Sequence, residues 1–367
     1  MTNRAIKYRL YPTDEQAVMF AKTFGCCRKV WNLMLSDKIE HYEETGKAFA
    51  NTPAQYKREY PYLKEVDSLA LANVQLNLQQ AYKNFFKNKK TGFPKFKSKR
   101  KTKRSYTTTN QKGTVAIVGN GIKFPKIGIV RAVIHRQPDK DWKLKSATIS
   151  QNSDGSYYAS LLFEFEMETS SVSKMSERAI GLDYKSNGLY MDSNGNIGTN
   201  HRYFRQSEKK LARAQRKLKH KTVGSNNYKK QQRRINRIYR HVANQRLDNL
   251  HKISTEIANQ YDIICVENLD MTALANKKYK NGKSTLDNGY GMFLNMLEYK
   301  QAERGHYLVK ISRWYPSSQL CSHCGRRHKL SLRDRVYRCE CGNVMDRDVN
   351  AAINIKNEGL RILSESL

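Results

Sequence analysis

The sequence contains no run of about 18 apolar residues, so it offers no segment suited to cross a membrane as a helix. Its opening stretch, MTNRAIKYRLYP, has no apolar signal core, and a cytoplasmic protein is expected. Cysteine is scarce, at seven residues in 367, and in a reducing compartment these do not form a disulfide framework. No fixed-period repeat is apparent. The most consequential shortage is of acid. Asp and Glu number 33 against 67 Lys and Arg, for a formal net charge of +34. A compact protein with that self-repulsion calls for a polyanionic partner. The basic residues are spread along the chain rather than gathered on one amphipathic segment, which favours nucleic acid over a membrane surface.

At this length, two or three domains and an ample core are expected. The stretch AIKYRLY alternates like a strand, and Pro12 followed by Thr13 marks a helix start. Residues 14–45 and 66–90 read as helices. The second carries Leu71, Val74, Leu78, Ala81 and Phe85 on one stripe, and Asn73, Asn77 and Gln80 away from it. Amides on an exposed helix face can read base edges in a groove, or simply be solvated. Residues 95–104 hold seven basic residues in ten, including Lys97, Lys99 and Arg100, and read as a flexible segment for phosphates. From about 105 to 167 the pattern is alternating and β-branched, with turns at VGNG, QPDKD and NSDG, which predicts a small antiparallel sheet or barrel. METSSVSKMSER then reads as a linker.

The rest of the chain is mixed α/β. A hairpin (AIGLDYK, GLYMD) leads to two long helices, about 203–220 and 226–260, almost without acidic residues. Ion-pair lacing therefore does not explain their charge, and a phosphate-lined groove does. A buried strand YDIICVENLD, a helix, the strand HYLVKIS and a final helix over 349–364 follow.

Two motifs carry chemistry. CSHCG and CECG place Cys321, Cys324, Cys339 and Cys341 as C-x₂-C and C-x-C separated by 14 residues. Four thiolates at that spacing fit a closed, structural Zn²⁺ site, with a glycine after each pair allowing a tight knuckle. The second motif is a set of carboxylates. Asp183 lies in an apolar strand, Glu267 ends another, and an aspartate stands at the mouth of the last helix. Asp183 and Glu267 each alone read as a strand-end carboxylate facing water. Brought to one point, they need divalent cations, and oxygen ligands suit Mg²⁺ or Mn²⁺. Two such ions can hydrolyse a phosphodiester.

The stretches YRLYPTDEQ, TFGCCRKVWN, GFPKFKSKRK, GLDYKSNG, CVENLDM, WYPSSQLCSHCG and CGNVMDRDVNAAINI together resemble the TnpB proteins of insertion sequences, relatives of type V CRISPR effector nucleases. The resemblance spans nearly the whole chain. It implies a multidomain α/β protein: a RuvC-like, RNase H-fold nuclease domain (176–320 and 346–367) with an inserted zinc ribbon (321–345). It also implies a helical recognition domain (11–104) and a small β-barrel (1–10 and 105–170). The implied activity is RNA-guided cutting of double-stranded DNA next to a short adjacent motif, with a guide RNA from the transposon end; the oligomeric state stays open, with a monomer favoured. The catalytic aspartate, glutamate and aspartate fall on Asp183, Glu267 and Asp348, the last being that of D-x-N-A-A, while Asp346 caps or borders the zinc module. The C-x-C departs from the C-x₂-C of many relatives and leaves the knuckle geometry open. Rival readings are a guide-dependent regulator that does not cut, a strand-joining transposase and a plain zinc-ribbon nucleic-acid binder.

Overall fold

The computed structural model describes residues 2–166, 177–275, 282–331 and 334–366. The chain forms two compact units, Met1–Met167 and Glu168–Leu367. Most of the expected linker METSSVSKMSER lies outside the described residues.

The first unit opens with β1 (Thr2–Tyr11), α1 (Asp14–Thr45) and α2 (Ser68–Lys87). Thr13 and Gln16 close a capping box on α1, and Asp67 caps α2 by accepting from the Leu69 N–H at 3.0 Å. Six more strands follow: β2 (Arg104–Thr109), β3 (Ala116–Val118), β4 (Gly121–Phe124), β5 (Gly128–Val133), β6 (Lys143–Gln151) and β7 (Tyr157–Phe165). They pair antiparallel with β1 in the order β2-β6-β7-β1-β5-β4-β3. The expected barrel is therefore an open sheet: its edge strands β2 and β3 form no ladder with each other among the described residues. With three residues, β3 offers too few backbone groups to close the seam.

Alternation along β7 buries Ala159, Leu161, Phe163 and Phe165 on one face. Both helices lie on the sheet in a single core, where Phe20 of α1 stacks on Tyr157 and meets Phe124 edge-on. Truncating such a ring to alanine costs about 3–5 kcal/mol. The spans 11–104 and 105–166 thus share one core instead of forming separate ones.

The second unit contains β8 (Ala179–Tyr184), β9 (Tyr190–Asp192), α3 (Tyr203–Lys219), α4 (Asn226–Gln260), β10 (Ile263–Glu267) and α5 (Met271–Leu274). It continues with α6 (Gly282–Asn288), α7 (Tyr290–Ala302), β11 (Tyr307–Ile311), the hairpin β12 (Val336–Arg338) and β13 (Val344–Asp346), and α8 (Arg347–Glu365). Four strands make a sheet in the order β11-β10-β8-β9, with β10 parallel to both neighbours and β9 antiparallel to β8. Ile180, Leu182, Ile264 and Val266 face a core shared with α4 and α7. Ile263, Cys265, Val309 and Ile311 face the opposite core with Ile355 and Leu363 of α8. Helices therefore cover both faces, as the apolar strands require.

Helix α8 sits unusually close to the sheet. A Cβ on Gly181 of β8 would fall 2.0 Å from the Ala352 carbonyl oxygen, and one on Gly359 of α8 would fall 2.3 Å from the Cys265 sulfur. Only the absence of both side chains lets the helix ride directly on β8 and β10. Helices α3 and α4 form a hairpin joined by the small core of Leu211, Ala214, Ile235 and Ile238.

Candidate active site and metal centre

The pleat decides where the carboxylates point. Leu182 faces the α4/α7 core, so Gly181 and Asp183 face α8. By the same alternation Glu267 shares the face of Ile263 and Cys265. Leu182 pairs with Val266 in the parallel ladder, so Asp183 and Glu267 follow side by side at the carboxyl ends of neighbouring strands. In open α/β sheets that is where ligands bind.

The third carboxylate comes from α8. Asp346 is the N-cap, accepting from the backbone N–H groups of Asp348 (2.8 Å) and Val349 (3.3 Å). Its oxygens therefore satisfy the helix start, while Asp348, in the first turn, lines a cleft of about 480 Å³ with Asp183 and Glu267. Four arginines, Arg313, Arg327, Arg335 and Arg347, line it too, together with Trp314.

Two further contacts organise the cleft. Lys185 forms an ion pair with Asp348 through a short hydrogen bond. Ser317 donates its hydroxyl to Glu267 Oε1 at 2.6 Å, and the Ser317 carbonyl accepts from the Asn354 side chain at 2.8 Å. Asn350, one turn earlier on α8, donates to the Leu320 carbonyl and accepts from the Ser322 N–H at 2.9 Å. Neither amide is accessible to more than a trace of solvent. They fasten the 317–322 segment to the helix that carries Asp348.

Burial pushes the Asp183 carboxyl well above the ordinary carboxylate range, and the charges of Glu267 and Asp348 add to it; Lys185 opposes them. Burial also raises Glu267, against the Ser317 hydrogen bond. Three half-buried oxygen-donor side chains, two of them with raised affinity for protons, make a donor set of the kind that hard divalent cations take.

The four cysteines come together as their spacing predicts. Their sulfurs all lie within 4.8 Å of one another, with Cys321–Cys341 and Cys324–Cys339 both at 3.6 Å. A tetrahedron with Zn–S bonds of about 2.3 Å has sulfur edges of about 3.8 Å, so the set fits zinc. Gly325 and Gly342, at φ +73° and +89°, turn the two knuckles. Burial would raise the Cys321 thiol, but the Cys324 backbone N–H and the Asn343 amide outweigh it and hold it below its ordinary value.

The expected nucleic-acid contacts divide. Asn73, Asn77 and Lys97 line one cleft of about 260 Å³ in the first unit, together with Lys103 and Arg104. Of these, Asn73 already donates to Leu69 O and Thr109 Oγ1. Asn77 is exposed. Gln80 donates to Asn84, and Lys99 and Arg100 are exposed outside that cleft. The basic segment is tied down rather than flexible at its start. Trp31 donates to the Lys95 carbonyl, Asn32 exchanges two hydrogen bonds with the Lys97 backbone, and the Lys97 ammonium sits 3.5 Å from the Trp31 ring centroid. Burial lowers the Lys97 pKa. In the second unit, Lys209, Lys210, Arg213, Arg216 and Arg234 line a cleft of about 760 Å³ on the α3/α4 hairpin, with no carboxylate among the described residues of its wall.

Lys185, Ser317 and Trp314 escape a reading of the sequence. Only Lys185 leaves a trace there: it stands two residues after Asp183, hence on the same face of the strand.

Three families of known proteins match parts of the chain: "Helix-turn-helix domain" over residues 1–47, "Probable transposase" over 163–278 and "Cas12f1-like, TNB domain" over 290–355. The first of these spans a strand and one unbroken helix here. Among solved structures, the protein chain of "Cryo-EM structure of the Cas12f1-sgRNA-target DNA complex" superposes with a TM-score of 0.63 at 14% identity, covering 97% of this chain and 99% of that one. The multidomain α/β fold is therefore Cas12f-like. "TnpB-like protein L79" of Acanthamoeba polyphaga mimivirus is 31% identical over 38% of this chain and 28% of its own. "Putative RNA-guided DNA endonuclease InsQ" of Escherichia coli (strain K12) is 32% identical over 98% of this chain and 93% of its own. "Putative RNA-guided DNA endonuclease" of Streptomyces pristinaespiralis is 35% identical over 97% of this chain and 89% of its own. With likeness that runs from the first strand to the last helix, the chain belongs to the TnpB family.

Proposed function

We propose that this protein is a transposon-encoded, RNA-guided DNA endonuclease that hydrolyses target phosphodiesters at a two-metal centre held by Asp183, Glu267 and Asp348. The observation that carries the reading is the convergence of these three carboxylates, from β8, β10 and α8, on one arginine-lined cleft. The mixed strand order and the antiparallel β8–β9 pair beside parallel β10 and β11 support a RuvC-like, RNase H-type core. The names carried by the relatives supply the RNA guide and the DNA target.

Bound at the three carboxylates, Mg²⁺ or Mn²⁺ would supply an activated water and neutralise charge at the leaving oxygen. The protein's own part is positional. Ser317 holds one oxygen of Glu267, which limits its rotation. Asp346 fixes the first turn of α8 and so the direction of Asp348. The cleft arginines offer planar, forked donors that suit phosphate oxygens. The four-cysteine knuckles, loaded with zinc, hold the approach to α8. The basic α3/α4 hairpin suits a phosphate backbone, and the exposed Asn77 beside Lys103 and Arg104 suits the motif adjacent to the target.

The test is to purify the protein from cells that carry its native locus, sequence the RNA that accompanies it, and add guide-matched plasmid with Mg²⁺. One discrete RNA with a variable end, and cut plasmid that disappears in EDTA, is the expected result. Joined strand ends would favour the transposase reading, which the "Probable transposase" match keeps specific. Bound but intact plasmid would favour a regulator.

A further inference from the structure

We propose that Trp314, with Arg313 and Arg335, forms a subsite for one unpaired nucleotide at the carboxylate cleft, the indole stacking on the base and the guanidiniums holding the adjoining phosphates. The inference rests on the reading of that cleft as the active site.

The chain has three tryptophans, and two are accounted for by packing. Trp31 is buried and hydrogen-bonded, and Trp142 stacks on Phe165 with ring centroids 4.2 Å apart. Trp314 is 85% exposed, yet it stands in the wall of the cleft that holds Asp183, Glu267 and Asp348. Its exposure is not that of a loose loop. The Trp314 and Tyr315 N–H groups donate to Ser312, the Ser317 N–H donates to the Tyr315 carbonyl, and Asn354 grips the Ser317 carbonyl from α8. A short segment pinned on both sides thus projects the largest apolar side chain in the alphabet into water.

A rigid, exposed indole beside cationic groups is the composition of a base-stacking platform. The charge around it is available for phosphates. Arg327 and Arg347 are engaged with Gln319 and the Ser331 carbonyl, but Arg313 and Arg335 form no ion pair with a described residue. One aromatic face and two guanidiniums without an ion pair among the described residues match one base with the phosphates on either side of it. A base inside a duplex already has neighbours on both faces, so the platform selects a nucleotide that is unpaired and unstacked.

The experiment is to titrate the purified protein–RNA complex with an oligothymidylate of about 15 nucleotides in EDTA, following tryptophan fluorescence and affinity. Quenching is expected, and Trp314→Ala should abolish most of it while weakening binding roughly 5- to 150-fold, the range of one stacked base. Trp314→Phe should restore much of the affinity. Arg313→Gln should lower the slope of log affinity against log salt by about one. A blunt duplex of the same length should show no dependence on residue 314. Unaltered oligothymidylate affinity in Trp314→Ala, or equal dependence for duplex, overturns the subsite. Cleavage by an Asp348→Ala variant would instead overturn the active-site reading beneath it.

Discussion

The Lys185 ammonium is hydrogen-bonded to the Asp348 carboxylate and its charge also reaches Asp183, so a fixed cation already stands among the three acidic groups. A unit charge about 4 Å away interacts by about 1 kcal/mol in water and by more in a partly buried cleft. Lys185→Met should therefore bind divalent cation severalfold more tightly than the parent. Mn²⁺ titration of metal-free protein, read by electron paramagnetic resonance, checks this. Equal affinities would mean that the ammonium does not compete with metal.

The raised proton affinity of Asp183 has a sign that can be followed in stability. A carboxyl whose pKa is higher folded than unfolded holds its proton more tightly in the native state. Its contribution is fully favourable at low pH and is lost as pH rises from its unfolded value, about 4, through the folded one. Metal-free protein should accordingly melt at lower temperature as pH climbs above about 4. Asp183→Asn should flatten that decline and raise the melting temperature at neutral pH, by about 2–4 °C for each kcal/mol recovered. Parallel melting curves for the two proteins across this pH range would remove the argument.

The two aspartates around Arg347 should separate cleanly. Asp348→Ala is expected to abolish cleavage with nucleic-acid affinity intact. Asp346→Ala removes the N-cap of α8, at a cost of about 1 kcal/mol, and should leave measurable cutting. Cleavage rates and melting temperatures of the two variants, measured side by side, decide it; the reverse pattern would reassign the active site.

Cys324→Ser should lower zinc content from near one per chain and depress the melting temperature, because the knuckle segment has few apolar residues of its own. Full zinc stoichiometry in the variant, by elemental analysis, would count against the four-cysteine site.

What could be read in advance follows from which interactions are local. The bounds of α1 and α4 were legible because their signals lie within a few residues: Thr13 with Gln16, and Ser225 accepting from the Tyr228 N–H. Cys321 to Cys341 was legible because ligand spacing is a local property. The open sheet was not, since alternation says which residues are strands and nothing about whether β2 finds β3. Asn73 lay on the right helix face for solvent, but Thr109, 36 positions later, takes its amide. The same holds at the site. Asp183 and Glu267 stood out as charges in apolar strands and the resemblance singled out Asp348, whereas Ser317 matters only because the fold returns it to a glutamate 50 positions earlier.

The missing side chains at Gly181 and Gly359 have a consequence for the chemistry. They set the standoff of α8 from the sheet at both ends of their contact, with Gly181 only two residues from Asp183. A methyl group at either place would lever the helix outward, and Asp348 would travel with it. Ligand distances at a metal centre tolerate errors of only about 0.2 Å. On the proposed two-metal reading, the glycines would act as the gauge blocks of the site: residues with no reactive atom that set the gap across which carboxylates of sheet and helix would reach one ion.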